Sequence, residues 1–429
     1  IGTSLTHLLR ATLVDTGSSQ QWRVGTMLSE GFPGITLIMA VWAIGGVVVP
    51  LDAGDPTHRI LRIANDADLD LLVVPDDSML EKIVSQEPRM KTLTYAHLQS
   101  DPIAPASGRA DDLTQELAEV GKHDLSHIVF TSGSTGTPKG VLCEHRSLMA
   151  YARAKSINQR VGSTSRVLLA SSFTFDPFLG DIATTLSHGG TLVGACRGDT
   201  LTRLAHCVRT LRVTHVCCTP PHWATLGDHV NASDYPHLEC VALGGEKMSP
   251  AMIAQWSQYD ATRKKPFAFM NTYGVTEATV YQTSLVCAPD SNPGVMGEPL
   301  SGITLFLKRE DSEAGNDFIP PPASSEEASG EVGEICIGGV QVARGYLKCP
   351  ELTEQRFIRA SEGAGVLYRT GDLGRWTPNG MIELLGRADR QVKLRGRRVE
   401  LGEIESIFET DALIAGALVK RAFVEVVSL

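Results

Sequence analysis

The run TSGSTGTPKG, residues 131–140, combines residue types and spacing suited to holding phosphate. It follows the apolar pair Val129 and Phe130. Small residues such as Gly133 and Gly136 let backbone N–H groups approach phosphate oxygens closely. The hydroxyls of Thr131, Ser132, Ser134 and Thr135 add donors, and Lys139 adds a positive charge. A plain Ser/Gly linker is the bland alternative. A linker does not normally sit behind an apolar strand or close on Pro-Lys-Gly. A Walker A loop needs GxxxxGK followed by Ser or Thr. Here Lys139 lies six positions after Gly133 and precedes Gly140, a spacing that disfavours a P-loop kinase or GTPase.

Further along, NTYGVTE at 271–277 gathers a second set. Tyr273 offers an aromatic face for a base. Thr276 offers a hydroxyl for a phosphate, and Glu277 is a hard oxygen ligand suited to Mg²⁺. Taken alone, such a run is more often an ordinary loop. In YRTGDL, Asp372 reads as a carboxylate in a tight Gly-Asp turn, able to accept both hydroxyls of a ribose.

The elements around these motifs alternate. Apolar, β-rich runs at Leu71–Val74, His127–Phe130, Val167–Ala170, Thr191–Val193, His215–Cys218 and Cys240–Leu243 are each followed by a helical pattern. That alternation predicts parallel sheets with crossover helices. From about residue 295 short strands dominate, at Thr304–Lys308, Gly333–Ile337 and Met381–Leu384. Asp101–Lys122 and Asp311–Glu331 read as loops. The apolar stretch Ile35–Leu51 is shorter than the roughly 20 residues of a membrane span. It predicts a buried helix to about Ile44, a break at Gly45 and Gly46, and a strand at Val47–Val49. The fold class is α/β: a large N-terminal core of two βα sheets plus a β-rich subdomain, then a partial, small α+β C-terminal subdomain. The expected boundary divides 1–388 from 389–429.

At this point the phosphate-loop run resembles that of the adenylate-forming superfamily, which includes acyl-CoA synthetases, luciferases and nonribosomal peptide synthetase adenylation domains. Other segments agree with that family in order: AIGGVVVPLD at 43–52, NTYGVTEATV at 271–280, GEICIGGVQVARGY at 333–346, YRTGDLGRW at 368–376 and GRADRQVKLRGRRVELGEIE at 386–405. The resemblance implies ATP and Mg²⁺ as cofactors, with Glu277 the metal ligand and Thr276, Glu277 and Lys139 in the catalytic set. It places Gly244, Gly245, Glu246, Asn271 and Tyr273 around adenine, and Asp372 and Arg387 on the ribose or phosphate. A surface ion pair is the alternative for Arg387. Asp389 falls at the hinge position. Two departures stand out. Val275 replaces a usual proline, which loosens the turn without removing a donor, and Leu384 stands where an aromatic is common.

The same matching puts Asp176, in FDPFLGDI, where amino-acid-activating members carry an aspartate. A buried carboxylate there needs a cation, which an α-ammonium supplies; the alternative is a helix N-cap. The remaining wall positions are Pro177, Gly180, Cys218, Val241, Leu243, Thr272, Val280 and Tyr281, none of them charged. Burying an unpaired charge is costly, so a neutral side chain is expected. The resemblance further implies transfer to phosphopantetheine on a carrier domain. An acyl- or aryl-CoA ligase and a non-catalytic nucleotide-binding relative are the competing readings.

Bulk properties narrow the rest. The 429 residues carry a formal net charge of -10, against a basic nucleic-acid surface. Nine cysteines without a CxxC pair argue against a zinc ribbon or disulfide scaffold. No basic segment precedes the apolar stretch, so a soluble, cytoplasmic protein without a membrane partner is expected. The family's catalytic lysine segment is not recognisable after Glu405. The sequence therefore reads as cut before the end of the small subdomain, with slow adenylation as it stands.

Overall fold

The computed structural model describes residues 2–14, 21–28, 31–100, 119–132, 138–258, 266–309, 317–322, 330–360, 365–389, 391–394 and 397–400. The chain divides into two compact units. One comprises Ile1–Val129, Val141–Thr214 and Ala343–Lys348; the other comprises Phe130–Gly140, His215–Val342 and Cys349–Leu429.

The first unit is built on strands β1 (Arg23–Thr26), β2 (Val47–Pro50), β3 (Leu71–Val74), β4 (Thr92–Thr94), β5 (Leu125–Thr131) and β6 (Lys139–Glu144), ordered β4-β3-β1-β2-β5-β6. Pairing from β4 through β5 is parallel. The apolar stretch behaves as its sequence predicts. Phe32–Ala43 is helical with Pro33 in its first turn, Gly45 turns the chain at φ 73°, and β2 follows, fully buried. Leu37, Val41, Val48, Leu71 and Phe178 meet in one core. A short parallel pair, β7 (Arg166–Leu168) and β8 (Thr191–Val193), completes the strands of this unit.

Two helices of this unit, His145–Gln159 and Asp176–Ser187, share a buried ion pair in which Lys155 Nζ donates to Asp181 Oδ1. Burial pushes the Asp181 carboxyl above the usual carboxylate range, and the Lys155 ammonium opposes that shift. The pair anchors the helix that carries Asp176, Pro177 and Gly180.

His127 is fully buried on β5, with Nδ1 sharing a hydrogen bond of 2.9 Å with Ser126 Oγ. Burial, and secondarily the charge on His145, push its pKa down to about 3. Between that value and the ordinary 6.5, the unfolded chain binds a proton that the folded chain does not. The folded state therefore loses stability as pH falls from about 6.5 towards 3, with a slope of about 1.4 kcal/mol per pH unit from this group. Denaturant titrations at several pH values should show that slope diminished in His127→Leu.

In the second unit β9 (His215–Cys218), β10 (Cys240–Gly244) and β11 (Ala268–Tyr273) run parallel. Strands β12 (Thr283–Val286) and β13 (Glu298–Pro299) extend them antiparallel. The β-rich part expected after about residue 295 is an antiparallel sheet of β14 (Ile303–Lys308), β15 (Phe318–Ile319), β16 (Gly333–Gly339), β17 (Phe357–Arg359), β18 (Val366–Trp376) and β19 (Ile382–Arg387). A hairpin of β20 (Gln391–Leu394) and β21 (Arg397–Glu400) follows. Residues 401–429, most of the expected small subdomain, lie outside the described residues. So do 101–118, 310–316 and 323–329, which make up most of the two expected loops. Among the described residues no helix is long and apolar enough to cross a membrane. All nine cysteines are free thiols, seven of them buried, so they act as core residues rather than as a disulfide framework.

Candidate active site

A cavity of about 520 Å³ opens in the second unit at the ends of β10 and β11. Its lining includes Gly245, Glu246, Asn271, Tyr273, Asp372 and Arg387, six of the residues that the sequence singles out for nucleotide. The volume falls in the usual range for small-molecule sites, roughly 300–1,000 Å³.

Asp372 is the centre of this arrangement. Expected in a tight turn, it lies instead within strand β18, register-paired with Arg387 of β19. The difference has a local cause. Gly371 takes φ 75° and the β16–β18 register slips beside it, so side chains take over the backbone hydrogen bonds. The Gly371 amide donates to Glu334 Oε1 at 2.9 Å, and the Asp372 amide donates to Thr370 Oγ1 at 3.0 Å. Arg369 Nε and Nη2 donate to the other Glu334 oxygen at 2.9 and 2.6 Å. The bulge thereby aims a buried carboxylate into the cavity.

Both Asp372 oxygens are engaged. Tyr273 Oη donates to Oδ2 at 2.5 Å, and Arg387 Nη1 donates to Oδ1 at 2.6 Å. Burial, reinforced by the Asp372 charge, pushes the Tyr273 phenol well above its ordinary pKa, so it stays a donor. A carboxylate has about four lone-pair directions; two remain for other donors. Arg387 is no surface ion pair: its side chain is 12% exposed, and it forks between Asp372 and Asp389, with Nε and Nη2 at 2.6 and 2.7 Å from the latter. Asp389, the expected hinge residue, is therefore tied to the cluster in the cavity wall.

Gly244 and Gly245 are needed for different reasons. A Cβ on Gly244 would lie 2.4 Å from Thr272 Oγ1 and 2.8 Å from the Tyr281 ring, whereas Gly245 takes φ 85°. Asn271 Nδ2 donates to Val295 O at 2.9 Å, fixing the loop that supplies Pro293, Gly294 and Met296 to the cavity. Sequence reasoning misses those three residues, together with Lys247, Glu334 and Thr370. Glu334 alone leaves a trace, as an acid at the start of the apolar strand Gly333–Gly339. Leu384 lines the cavity where an aromatic is the common alternative.

The expected substrate-wall residues fall into two groups. Cys218, Val241, Leu243, Thr272, Val280 and Tyr281 are all buried in the second unit, and Leu243 is in register with Cys218. Asp176, Pro177 and Gly180 belong to the first unit, on the helix Asp176–Ser187. Asp176 is buried and is the first helical residue; Phe175 is the N-cap, without a side-chain cap, so the capping alternative fails.

Of the residues expected to hold phosphate, Thr131 ends β5 and Lys139 begins β6. Among the described residues the buried Thr131 hydroxyl has no hydrogen-bond partner. Ser132 is described; Gly133, Ser134, Thr135 and Gly136 lie outside the described residues. Thr276 and Glu277 form a single 3₁₀ turn after β11, with Glu277 fully buried. Gly274 packs so tightly that a Cβ would sit 2.1 Å from Val280 O and 2.5 Å from Tyr281 Cα. Gly274→Ala should force this turn open and cost about 1–3 kcal/mol of stability. Chemical denaturation checks it, and a midpoint unchanged from wild type would refute the close approach.

The family model for AMP-binding enzymes matches residues 6–347. The chain belongs to the AMP-binding enzyme family. Among curated relatives of this AMP-binding chain, nonribosomal peptide synthetase agiA of Aspergillus flavus is 34% identical over 391 residues, covering 89% of this chain and 5% of its own length. Bacitracin synthase 3 of Bacillus licheniformis is 32% identical over 413 residues, covering 95% and 6%. The chain thus spans about a twentieth of either synthetase. A solved four-domain nonribosomal peptide synthetase bound to AMP and glycine superposes with a TM-score of 0.73 at 26% identity, covering 95% of this chain and 28% of that one.

Proposed function

We propose that this AMP-binding domain activates an amino acid with a neutral side chain, forming aminoacyl-AMP and pyrophosphate from ATP. The product then acylates phosphopantetheine on a carrier domain. The observation that carries the reading is the buried Tyr273–Asp372–Arg387 cluster in the wall of a nucleotide-sized cavity. Kinship with peptide synthetases supports the amino-acid substrate.

In the reaction the substrate carboxylate oxygen bonds to the α-phosphorus of ATP, and the bond from that phosphorus to the bridging oxygen of pyrophosphate breaks. No protein nucleophile takes part; alignment and neutralisation of developing charge supply the rate. Asp372 accepts the ribose hydroxyls. Thr276 contacts the α-phosphate. Thr131, Ser132 and Lys139 hold the leaving phosphates, with Gly133, Ser134, Thr135 and Gly136 as their loop. Among the described residues no group of three or more His, Cys, Asp or Glu is arranged to hold a metal. Mg²⁺ is commonly held by one or two carboxylates plus substrate phosphates and water, and the fully buried Glu277 carboxylate is a donor of that kind. Glu277 would be the protein ligand, and the ion, when bound, would neutralise phosphate charge.

Asp176 supplies the counter-charge for the α-ammonium. Val241, Leu243, Cys218, Val280 and Tyr281 are buried and uncharged, and a charged substrate side chain among them would be left unpaired. Acid-dependent ATP–pyrophosphate exchange across amino, aryl and fatty acids tests the reading. Exchange with one or a few neutral amino acids is expected. Exchange only with acids lacking an α-amine would move the chain to the acyl- or aryl-CoA ligases.

A further inference from the structure

The turn that presents Thr276 and Glu277 is held by Gln282, a residue outside the nucleotide and substrate motifs. Tyr273 ends β11, and the chain returns at Gln282, whose amide donates to Tyr273 O at 2.9 Å. Between them Thr279 and Val280 adopt φ 63° and 71°. For β-branched residues this is an unfavourable backbone region that persists only when its surroundings enforce it. The Gln282 side chain is fully buried inside the loop. Its Oε1 accepts the Val275 amide at 2.9 Å, and its Nε2 donates to Ala278 O at 2.7 Å and to Thr279 O at 3.3 Å. One carboxamide therefore bridges the residue before Thr276 to the two residues after Glu277. Thr279 Oγ1 adds a hydrogen bond to Gln341 O at 2.8 Å.

Val275 is the position where the family resemblance expects proline and a loosened turn. The loop is pinned instead, and through the N–H that proline lacks. Val275 has φ −135°, whereas a proline ring fixes φ near −65 ± 15°. A proline here would both strip Gln282 of its donor and demand a different backbone.

We propose that Gln282 is a positioning residue for the Thr276–Glu277 turn, acting through the Val275 amide, and that this chain has exchanged a rigid ring for a buried side-chain bridge. The inference rests on the roles given above to Thr276 and Glu277. Restoring the family's proline should therefore harm the enzyme.

The test is ATP–pyrophosphate exchange by the full-length protein carrying Val275→Ala, Val275→Pro, Gln282→Ala or the pair Val275→Pro/Gln282→Ala. Val275→Ala keeps the N–H and should retain kcat within about threefold. Val275→Pro and Gln282→Ala should each lose about 10- to 100-fold in kcat with a raised Mg²⁺ half-saturation, while KM for the amino acid holds. Because both remove the same bridge, the pair should lose no more than the worse single variant. In Gln282→Ala, hydrogen exchange at the Val275 amide should speed up by about tenfold or more. A Val275→Pro variant as active as Val275→Ala, undiminished kcat in Gln282→Ala, or a Val275 amide still protected there would each overturn the proposal. If Glu277→Gln matches wild type, the reading of Glu277 falls instead, and the amide exchange still decides whether the bridge holds the turn.

Discussion

Asp372→Asn should yield a folded protein that has lost about 100-fold in kcat/KM for ATP while its KM for the amino acid is unchanged. The asparagine keeps the shape and can still accept from Tyr273 or Arg387. It cannot offer a charged acceptor to a ribose diol, and its amide N–H₂ now faces one of the donors that converge there. Asp372→Ala goes further. It leaves the Arg387 guanidinium, 12% exposed, without its buried counter-charge and the Tyr273 hydroxyl without its acceptor. Arg387 keeps Asp389 as a partner, so the cost falls below the about 3–5 kcal/mol of an uncompensated buried charge, and this variant should lose some stability as well as nucleotide affinity. Steady-state kinetics with thermal denaturation separates the two effects. If Asp372→Asn binds ATP as wild type does, the ribose role is wrong.

Asp176→Ala should cut kcat/KM for the amino acid by about 100- to 1,000-fold, since an α-ammonium would then be buried without a partner. KM for ATP should move little. The helix that Asp176 opens has a second anchor, the fully buried ion pair by which Lys155 and Asp181 lock it to its neighbour. Loss of activity in Asp176→Ala with an unaltered melting temperature would therefore report on the substrate rather than on the helix. An acid without an α-amine leaves the buried Asp176 carboxylate unpaired in the wild type, so the substitution should not impair its use, and comparing the two acids gives the clearest reading.

The parts of the fold legible in the sequence are those with strong local signals. Leu71–Val74, Thr191–Val193 and His215–Cys218 are short apolar runs bounded by turn residues, and each is a strand over those residues. Gly45 and Gly46 mark the helix-to-strand break correctly because one takes positive φ and the other has Val41 within 3.1 Å of an added Cβ. Asp372 is misread because Gly-Asp ordinarily signals a turn. Here a distant carboxylate, Glu334, satisfies the Gly371 amide and lets the strand continue through a bulge. No local pattern announces a partner 37 positions away. Gln282 is invisible for the same reason. A lone glutamine after a β-branched run carries no signal until the loop has folded around it. The residues lining the cavity are largely nameable because they cluster in motifs; the side chains that hold those motifs in shape are not.

Attack of a substrate carboxylate on the α-phosphorus of ATP carries a carboxylate oxygen into AMP, where an isotope label reveals it. The amino acid that drives exchange is supplied with ¹⁸O in its carboxylate, and the activated product is trapped with hydroxylamine. Attack at the α-phosphorus followed by trapping at the acyl carbon leaves one ¹⁸O in AMP, seen by mass spectrometry. That label is expected in AMP, dependent on Asp372 and Asp176. Label appearing in inorganic phosphate alongside ADP, or AMP formed without label, would contradict it.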